Sequence, residues 1–193
     1  MTKSRKIDIL KAAQKRFIRH GLNKTTLAEI ARDVRIGKAT IYHYFTSKDQ
    51  HFFETVRWEI TEYLEQIKNC FNNELLSTKE RFQEYFLLKM KLGENFPLLF
   101  EVIKQTINEF SLESLVKLHL HFFEQEEEVL SLVLQSFNKE KNDFIDKQYA
   151  KEVIVETTGF LLLTSFLKAH NKIETQFIEK GKDEFLRKFS FHD

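Results

Sequence analysis

The sequence predicts an all-α protein on three observations. Helix breakers are scarce, with one Pro and five Gly in 193 residues. No stretch sustains an alternation of apolar and polar residues, and apolar positions recur three or four apart along most of the chain. Hydrophobic residues make up 42% of the sequence, and at this length roughly 70% of the unfolded surface can be buried, so a core forms without a disulfide or metal staple. The same composition excludes collagen-like, disulfide-scaffold and disordered classes.

The first helix is expected from about Ser4 to His20, with Ile7, Leu10, Ala13, Phe17 and Ile18 on one face. Gly21 suits the left-handed position that closes a helix. Thr26 and Glu29 have the spacing of a capping box, which starts a short second helix with Leu27, Ile30, Ala31 and Val34 on its apolar face. Gly37 precedes another short helix, Lys38 to about Phe45. Ser47 and Gln50 form a second capping box for a fourth helix running from Lys48 to about Asn72. Ser77 or Thr78 caps a helix ending near Gly93, and Pro97 suits the first turn of one reaching about Glu109. Three more follow: Ser111 to Phe137, Ile145 to Ala169 and Thr175 to Phe189, with Asn138 to Asp143 as a polar break.

Charge is unevenly placed. Residues 1–50 carry 12 Lys and Arg against 4 Asp and Glu, and residues 51–193 carry 18 against 25. A basic segment followed by an acidic one suggests that the first approaches a polyanion, releasing counterions condensed on its phosphates. Two short helices joined by Val34, Arg35, Ile36 and Gly37, after a longer basic helix, have the layout of a helix-turn-helix. In that geometry the second short helix enters the major groove of DNA. Here it is Lys38 to Tyr44, anchored by Ile41 and Phe45, which turns Lys38, Ala39, Thr40, Tyr42, His43 and Tyr44 outward to differing degrees. Taken alone, Tyr42 or Tyr44 would read as core; basic charge, two capping boxes and the short turn favour the exposed reading.

Phe17, Gly21, Thr25–Thr26, Ile30–Ala31, Thr40, Tyr42, Tyr44–Phe45 and Ser47–Lys48, at these spacings, resemble the DNA-binding domain of the TetR/AcrR family of bacterial transcriptional regulators. The resemblance covers roughly residues 5–55. It implies a three-helix helix-turn-helix domain at 1–46 and a larger helical ligand-binding and dimerisation domain at 47–193. It also implies a homodimeric repressor that leaves a palindromic operator when a small hydrophobic ligand binds. Thr25 or Thr26 at the start of the second helix would hold a phosphate, as would Lys48, Thr40 and Tyr44. Lys38, Ala39, Tyr42 and His43 would meet base edges. Family members often have Ala-Gly-Val-Ser in the turn; Arg35 in the left-handed conformation would be strained by about 1 kcal/mol and could itself reach a phosphate. His51 stands where Leu is frequent.

Eighteen of the 20 Phe follow residue 50. They either fill a bundle or line an apolar pocket, and the resemblance implies the pocket, with Trp58, Tyr85, Phe86, Met90, Phe96, Phe100, Phe110, Phe122 and Phe123 as its members. The two last helices, through Val153, Ile154, Val155, Phe160 to Leu163 and Phe177, Ile178, Phe185, Leu186 and Phe189, would build half of a two-fold interface or be buried within one subunit.

No cofactor or metal is expected: His119 and His121, two apart on a helix, point about 200° apart. Glu124, Glu126, Glu127 and Glu128 read as a solvated face. No hydrolase, zincin or phosphate-loop motif is present, so an enzyme is not expected. The longest apolar stretch, Phe160 to Leu167, is broken by Thr164 and Ser165, the start of the chain is charged, and Cys70 has no partner, all expected of a soluble cytoplasmic protein without a membrane partner. The competing class is a non-catalytic helical binding or DNA-organising protein without a small-molecule inducer.

Overall fold

The computed structural model describes residues 3–106, 113–137, 147–172 and 175–189, and these form helices and short connections with no strand. In chain order the helices are α1 (Lys3–His20), α2 (Leu27–Asp33), α3 (Lys38–Tyr44), α4 (Lys48–Asn72), α5 (Thr78–Met90), α6 (Leu92–Asn95), α7 (Pro97–Gln105), α8 (Glu113–Phe137), α9 (Lys147–Ala169) and α10 (Thr175–Phe189). None of the described helices is long and apolar enough to cross a membrane.

α1 buries Ile9, Leu10, Ala13 and Phe17, a stripe repeating every four residues, each large member worth roughly 1.5–3 kcal/mol. Ile18 departs from the expected face and stands 50% exposed, because one residue past Phe17 the helix has turned by about 100°. Gly21 ends α1 at φ 76°, its N–H donating to the Phe17 carbonyl, a conformation that glycine adopts without a Cβ clash.

α4 is the axis of the molecule. His51, Thr55, Val56, Glu59, Ile60, Tyr63, Leu64, Ile67 and Phe71 are buried along its full length, and α1, α5, α7 and α8 pack against it. Its start carries half of the expected capping box: Ser47 accepts from the Gln50 N–H, but the Gln50 side chain accepts from the N–H and hydroxyl of Thr46 instead of the Ser47 N–H. A complete box stands at Ser77 and Glu80, at the head of α5. α5 stops at Met90, short of Gly93, because the chain bends at Lys91 into the single turn of α6. The expected starts at Ser111 and Ile145 and the break at Asn138 to Asp143 lie outside the described residues.

The interior behind α4 is aromatic and filled. Tyr63 packs on Phe96 and Phe122 with ring centroids 5.5 and 5.8 Å apart, and Phe86 on Phe185 at 5.2 Å. α10 comes close enough to α9 for the Phe160 ring to occupy the space over Gly181, where a Cβ would lie 2.1 Å from it. Phe185, Leu186 and Phe189 of α10 are thereby buried within the subunit, so they are not half of an intersubunit face.

A charge pair sits inside this aromatic core. The Lys89 ammonium donates to both carboxylate oxygens of Glu126, at 2.7 and 2.8 Å, and both side chains have no exposure. Tyr63 and Tyr85 also donate to Glu126, at 2.8 and 3.2 Å. The solvated-face reading of the acidic run therefore fails for Glu126 and Glu127, which are both buried. Glu126 falls on the buried stripe of α8 defined by Leu118, Phe122 and Leu130. Burial pulls the Lys89 pKa down and Glu126 opposes it.

Removing one partner of a buried pair strands the other charge, which costs about 3–5 kcal/mol. Glu126→Leu is therefore expected to lose that much stability in urea unfolding, while the double variant Lys89→Met/Glu126→Leu regains most of it. A double variant no more stable than the single one would contradict this account.

Candidate nucleic-acid interface

α1 holds α2 and α3 by apolar contact and by charge. Leu27, Ile30, Ala31, Ile41 and Phe45 turn inward. Arg16 of α1 pairs with Asp33, at 2.9 Å to Oδ1, and stands 3.5 Å from Glu29. The Arg16 hydrogen bond holds the Asp33 carboxyl below its ordinary range. At the head of α2 the capping box is complete: the Glu29 N–H donates to the Thr26 hydroxyl, and Glu29 accepts from the Thr26 N–H and hydroxyl at 2.9 and 2.8 Å. These Thr26 bonds lower the Glu29 pKa.

The turn is closed by the Ile36 N–H donating to the Ala31 carbonyl at 2.9 Å, with Arg35 at φ 54°. Six-to-one closure of this kind places the residue between in the left-handed region. Arg35 therefore takes the strained conformation that a glycine would adopt freely, and its side chain is exposed. Gly37 is the N-cap of α3 and supplies no side-chain acceptor.

Burial of Ile41 and Phe45 leaves Lys38, Ala39, Tyr42 and His43 exposed on one short helix, with Thr40 and Tyr44 half-buried. Tyr42 is 47% exposed, and the Lys38 ammonium lies 6.0 Å from the centre of its ring. The two Thr residues separate. Thr26 stays on the surface, whereas Thr25 is buried and its hydroxyl donates to the Gly21 carbonyl at 2.8 Å. The Thr25 hydroxyl is thus committed to ending α1 and does not face a phosphate. Lys48 reaches from the head of α4 to the Asn23 carbonyl at 3.4 Å, beside the α1–α2 connection.

Two polar side chains are buried behind this surface: His51, which the sequence marks as standing where Leu is frequent, and Glu59, which escaped notice. His51 has no exposure; its ring stacks on Phe45 at 3.8 Å and 8°, and meets Phe17 edge-on at 6.0 Å. Neither of its ring nitrogens has a hydrogen-bond partner among the described residues. Burial pulls its pKa down to about 4, with Glu54 opposing. Glu59, also fully buried, accepts from Gln14 of α1 at 2.7 Å and from the Leu99 and Leu98 N–H groups at the start of α7, at 2.8 and 3.4 Å. Burial raises its pKa against these three donors. The signal for Glu59 was a carboxylate on the buried stripe of α4, between Val56 and Tyr63.

The residues expected to line a pocket behave differently. Tyr85, Phe86, Phe96 and Phe122 are buried in ring-to-ring contact, and Trp58, Met90 and Phe123 are partly buried packing against the core. Aromatic rings at helical spacing satisfy one another here, and the filled-bundle alternative describes them. Phe100 alone of the nine lines one of the two described cavities, and Phe110 lies outside the described residues. His119 turns inward to the Thr106 hydroxyl at 2.6 Å while His121 is exposed. Among the described residues no three His, Cys, Asp or Glu side chains cluster as metal ligands would.

Residues 9–55 match the family model described as bacterial regulatory proteins, tetR family. The HTH-type transcriptional regulator QacR of Staphylococcus aureus is 30% identical over 100 residues, half of this chain and half of that protein; the chain spans about half the length or less of the curated relatives it matches. Among solved structures, a TetR transcriptional regulator from Legionella pneumophila superposes with a TM-score of 0.63 at 23% identity, over 94% of this chain and 95% of that one. The transcriptional regulator FadR from Bacillus subtilis, in complex with stearoyl-CoA, superposes with a TM-score of 0.66 at 15% identity, over 96% and 99%. At these identities the superpositions show a shared fold over 94–96% of the chain.

The seat of α3 has a pH signature. His51 takes up a proton near 6.5 in the unfolded chain but only near 4 when folded, so between those values the unfolded state binds more protons and folding weakens as pH falls. The loss reaches about 3 kcal/mol by pH 4. His119, whose pKa is also lowered by burial, adds to it. His51→Leu is expected to flatten the fall in urea midpoint between pH 6.5 and 4 and to raise stability at pH 5. An unchanged slope in the variant would rule out His51 as its source.

Proposed function

We infer the function from one premise: through residues 9–55 the chain belongs to the tetR family of bacterial regulatory proteins. It is a DNA-binding transcriptional regulator, and we propose that it acts as a homodimeric repressor released from a palindromic operator by a small apolar ligand. The observation that carries the DNA reading is α3 itself, a seven-residue helix anchored from below by Ile41 and Phe45 with Lys38, Ala39, Tyr42 and His43 uncovered. Lys38 would donate to guanine O6 and N7, Ala39 would sit against a thymine methyl, and Tyr42 and His43 would reach neighbouring base edges. Thr26, Arg35, Thr40, Tyr44 and Lys48 would hold phosphates on either side, positioning the helix without reading sequence. Residues 1–46 would form the DNA-binding domain and 47–193 the regulatory and dimerisation domain.

An uncovered apolar face supports the dimer. α9 buries Val153, Ile154, Thr157 and Leu161 on one side, while Val155, Leu163 and Phe166, 61%, 47% and 59% exposed, stand on another together with Gly159. Gly159 has no atom within 4 Å of where its Cβ would be, which leaves room for a second copy of α9 to approach across a two-fold axis. A ligand would act by differential affinity, favouring a spacing of the two α3 helices that no longer matches successive major grooves. The stearoyl-CoA bound by the B. subtilis protein of this fold supports a ligand with an apolar part such as its acyl chain. The filled aromatic interior favours a second reading, a DNA-binding protein of the same fold that responds to no small molecule.

Gel-shift titration against selected DNA tests the DNA contacts. Lys48→Ala is expected to weaken binding to every sequence and to lower the salt slope by about one unit, as one phosphate contact is lost. Tyr42→Ala is expected to reduce specific binding by about 1–3 kcal/mol and nonspecific binding by much less. Equal losses on both kinds of DNA would remove Tyr42 from base reading. For the dimer, Phe166→Glu is expected to convert the sedimenting species to monomer with its helix content unchanged; a variant that stays dimeric would place the interface elsewhere.

A further inference from the structure

A groove with a volume of about 1090 Å³ runs along the joint between the helix-turn-helix and the helices behind it. Phe17, Ile18 and Leu22 from α1 and its turn, with Phe53 of α4, form one side, and Leu98 and Phe100 of α7 form the other. The volume lies at the upper end of small-molecule sites, which run to roughly 1,000 Å³. Ile18 is half exposed although it lines this groove, so α1 offers an aliphatic side chain here that nothing among the described residues fully covers. The rim carries both signs of charge, Lys24 against Asp49 and Glu101, so it offers no concentrated field of a single sign.

We propose that this groove binds an uncharged, apolar small molecule with an aromatic or branched aliphatic body, held between Phe100 of α7 and the Phe17 and Ile18 side of α1. The site is distinct from the aromatic interior, whose rings fill their own space. It is also coupled by contact to the DNA-reading helix in two ways. Phe17, in the wall, meets the Phe52 ring edge-on at 5.4 Å and the His51 ring at 6.0 Å, and His51 stacks on Phe45, the residue that closes α3. With both nitrogens unpartnered, the His51 ring is held by ring contacts rather than hydrogen bonds and follows its aromatic neighbours. Leu98, in the opposite wall, donates its N–H to Glu59, the carboxylate that also grips Gln14 of α1. A molecule that shifts the first turn of α7 therefore pulls on α1 through a shared acceptor.

The test uses the full chain and N-phenyl-1-naphthylamine, a neutral dye that brightens in apolar surroundings. Saturable binding is expected for the wild type and for Leu75→Glu, a control on a fully solvated site outside the groove. Binding at least tenfold weaker is expected for Ile18→Glu, which puts a charge in the groove, and for Ile18→Trp, which fills it. Ile18 is half in solvent already, and thermal unfolding of each variant verifies the fold. No saturable binding to the wild type, or binding by both Ile18 variants as tight as that of the wild type, overturns the proposal.

Only the regulatory consequence rests on the ligand-responsive reading, and DNA retention in the presence of dye separates the two. Release abolished by Ile18→Trp supports both. Release that persists in both Ile18 variants overturns the groove as the site and leaves a ligand-responsive regulator. Groove binding without release supports the site and counts against the regulatory reading.

Discussion

The placement of α3, the helix proposed to read DNA, depends on one buried carboxylate. Glu59 stands midway along α4 and accepts from α1 on one side and from the opening turn of α7 on the other. A carboxylate out of contact with water is costly unless its lone pairs are filled, and three donors from two other helices fill them. That requirement fixes how far α1 lies from α7, and α1 in turn carries α2 and α3 through Phe17, Arg16 and the apolar faces beneath them. The position of α3 thus follows from contacts made far along the chain from it.

A similar economy governs the interior. Lys89, Glu126, Tyr63 and Tyr85 form a closed polar group in which the carboxylate is the common acceptor. Apolar rings surround it, and the ammonium lies 5.5 and 5.7 Å from the ring centres of Tyr63 and Phe122. Such a group adds little net stability compared with apolar replacements, but its hydrogen bonds are directional, so it sets the rotation of α5 and α8 about their axes. The aromatic excess of the sequence is used in packing α5, α8, α9 and α10 together. Among the described residues, uncovered apolar side chains include Ile18 at the joint between the helix-turn-helix and the rest, Leu120 and Leu132 on α8, and Val155, Leu163 and Phe166 on the outer side of α9.

Much of the helix-turn-helix was legible in residues 17–48. Gly21 at φ 76°, the Thr26–Glu29 box and the strained Arg35 are local chemistry, in which cap, turn and helix lie within a few residues of one another. Most helix spans among the described residues were legible for the same reason, but the bend at Lys91 and the single turn of α6 were not. Two errors share a different cause. Ile18 was assigned to the buried face, and Glu126 and Glu127 to solvent. Each depends on which neighbour arrives from elsewhere in the chain, and periodicity says only that a face exists. Thr25 and Thr26 show the same limit at the finest scale: both are hydroxyl residues at a helix start, and only the return of the chain past Gly21 decides that Thr25 points inward.

By itself the sequence determined most of the helices and caps, the basic first quarter and the identity of the side chains on α3, because these follow from hydrogen bonding and charge over a few residues. Tertiary structure alone decided that a histidine would lie unpartnered beneath α3, that a carboxylate would tie three helices together, and that an open groove would remain at the joint while the interior closed. The physical reason is that burial is a property of pairs of surfaces. A residue's chemistry says what it needs when water is removed, and the partner that removes the water is chosen by the path of the whole chain.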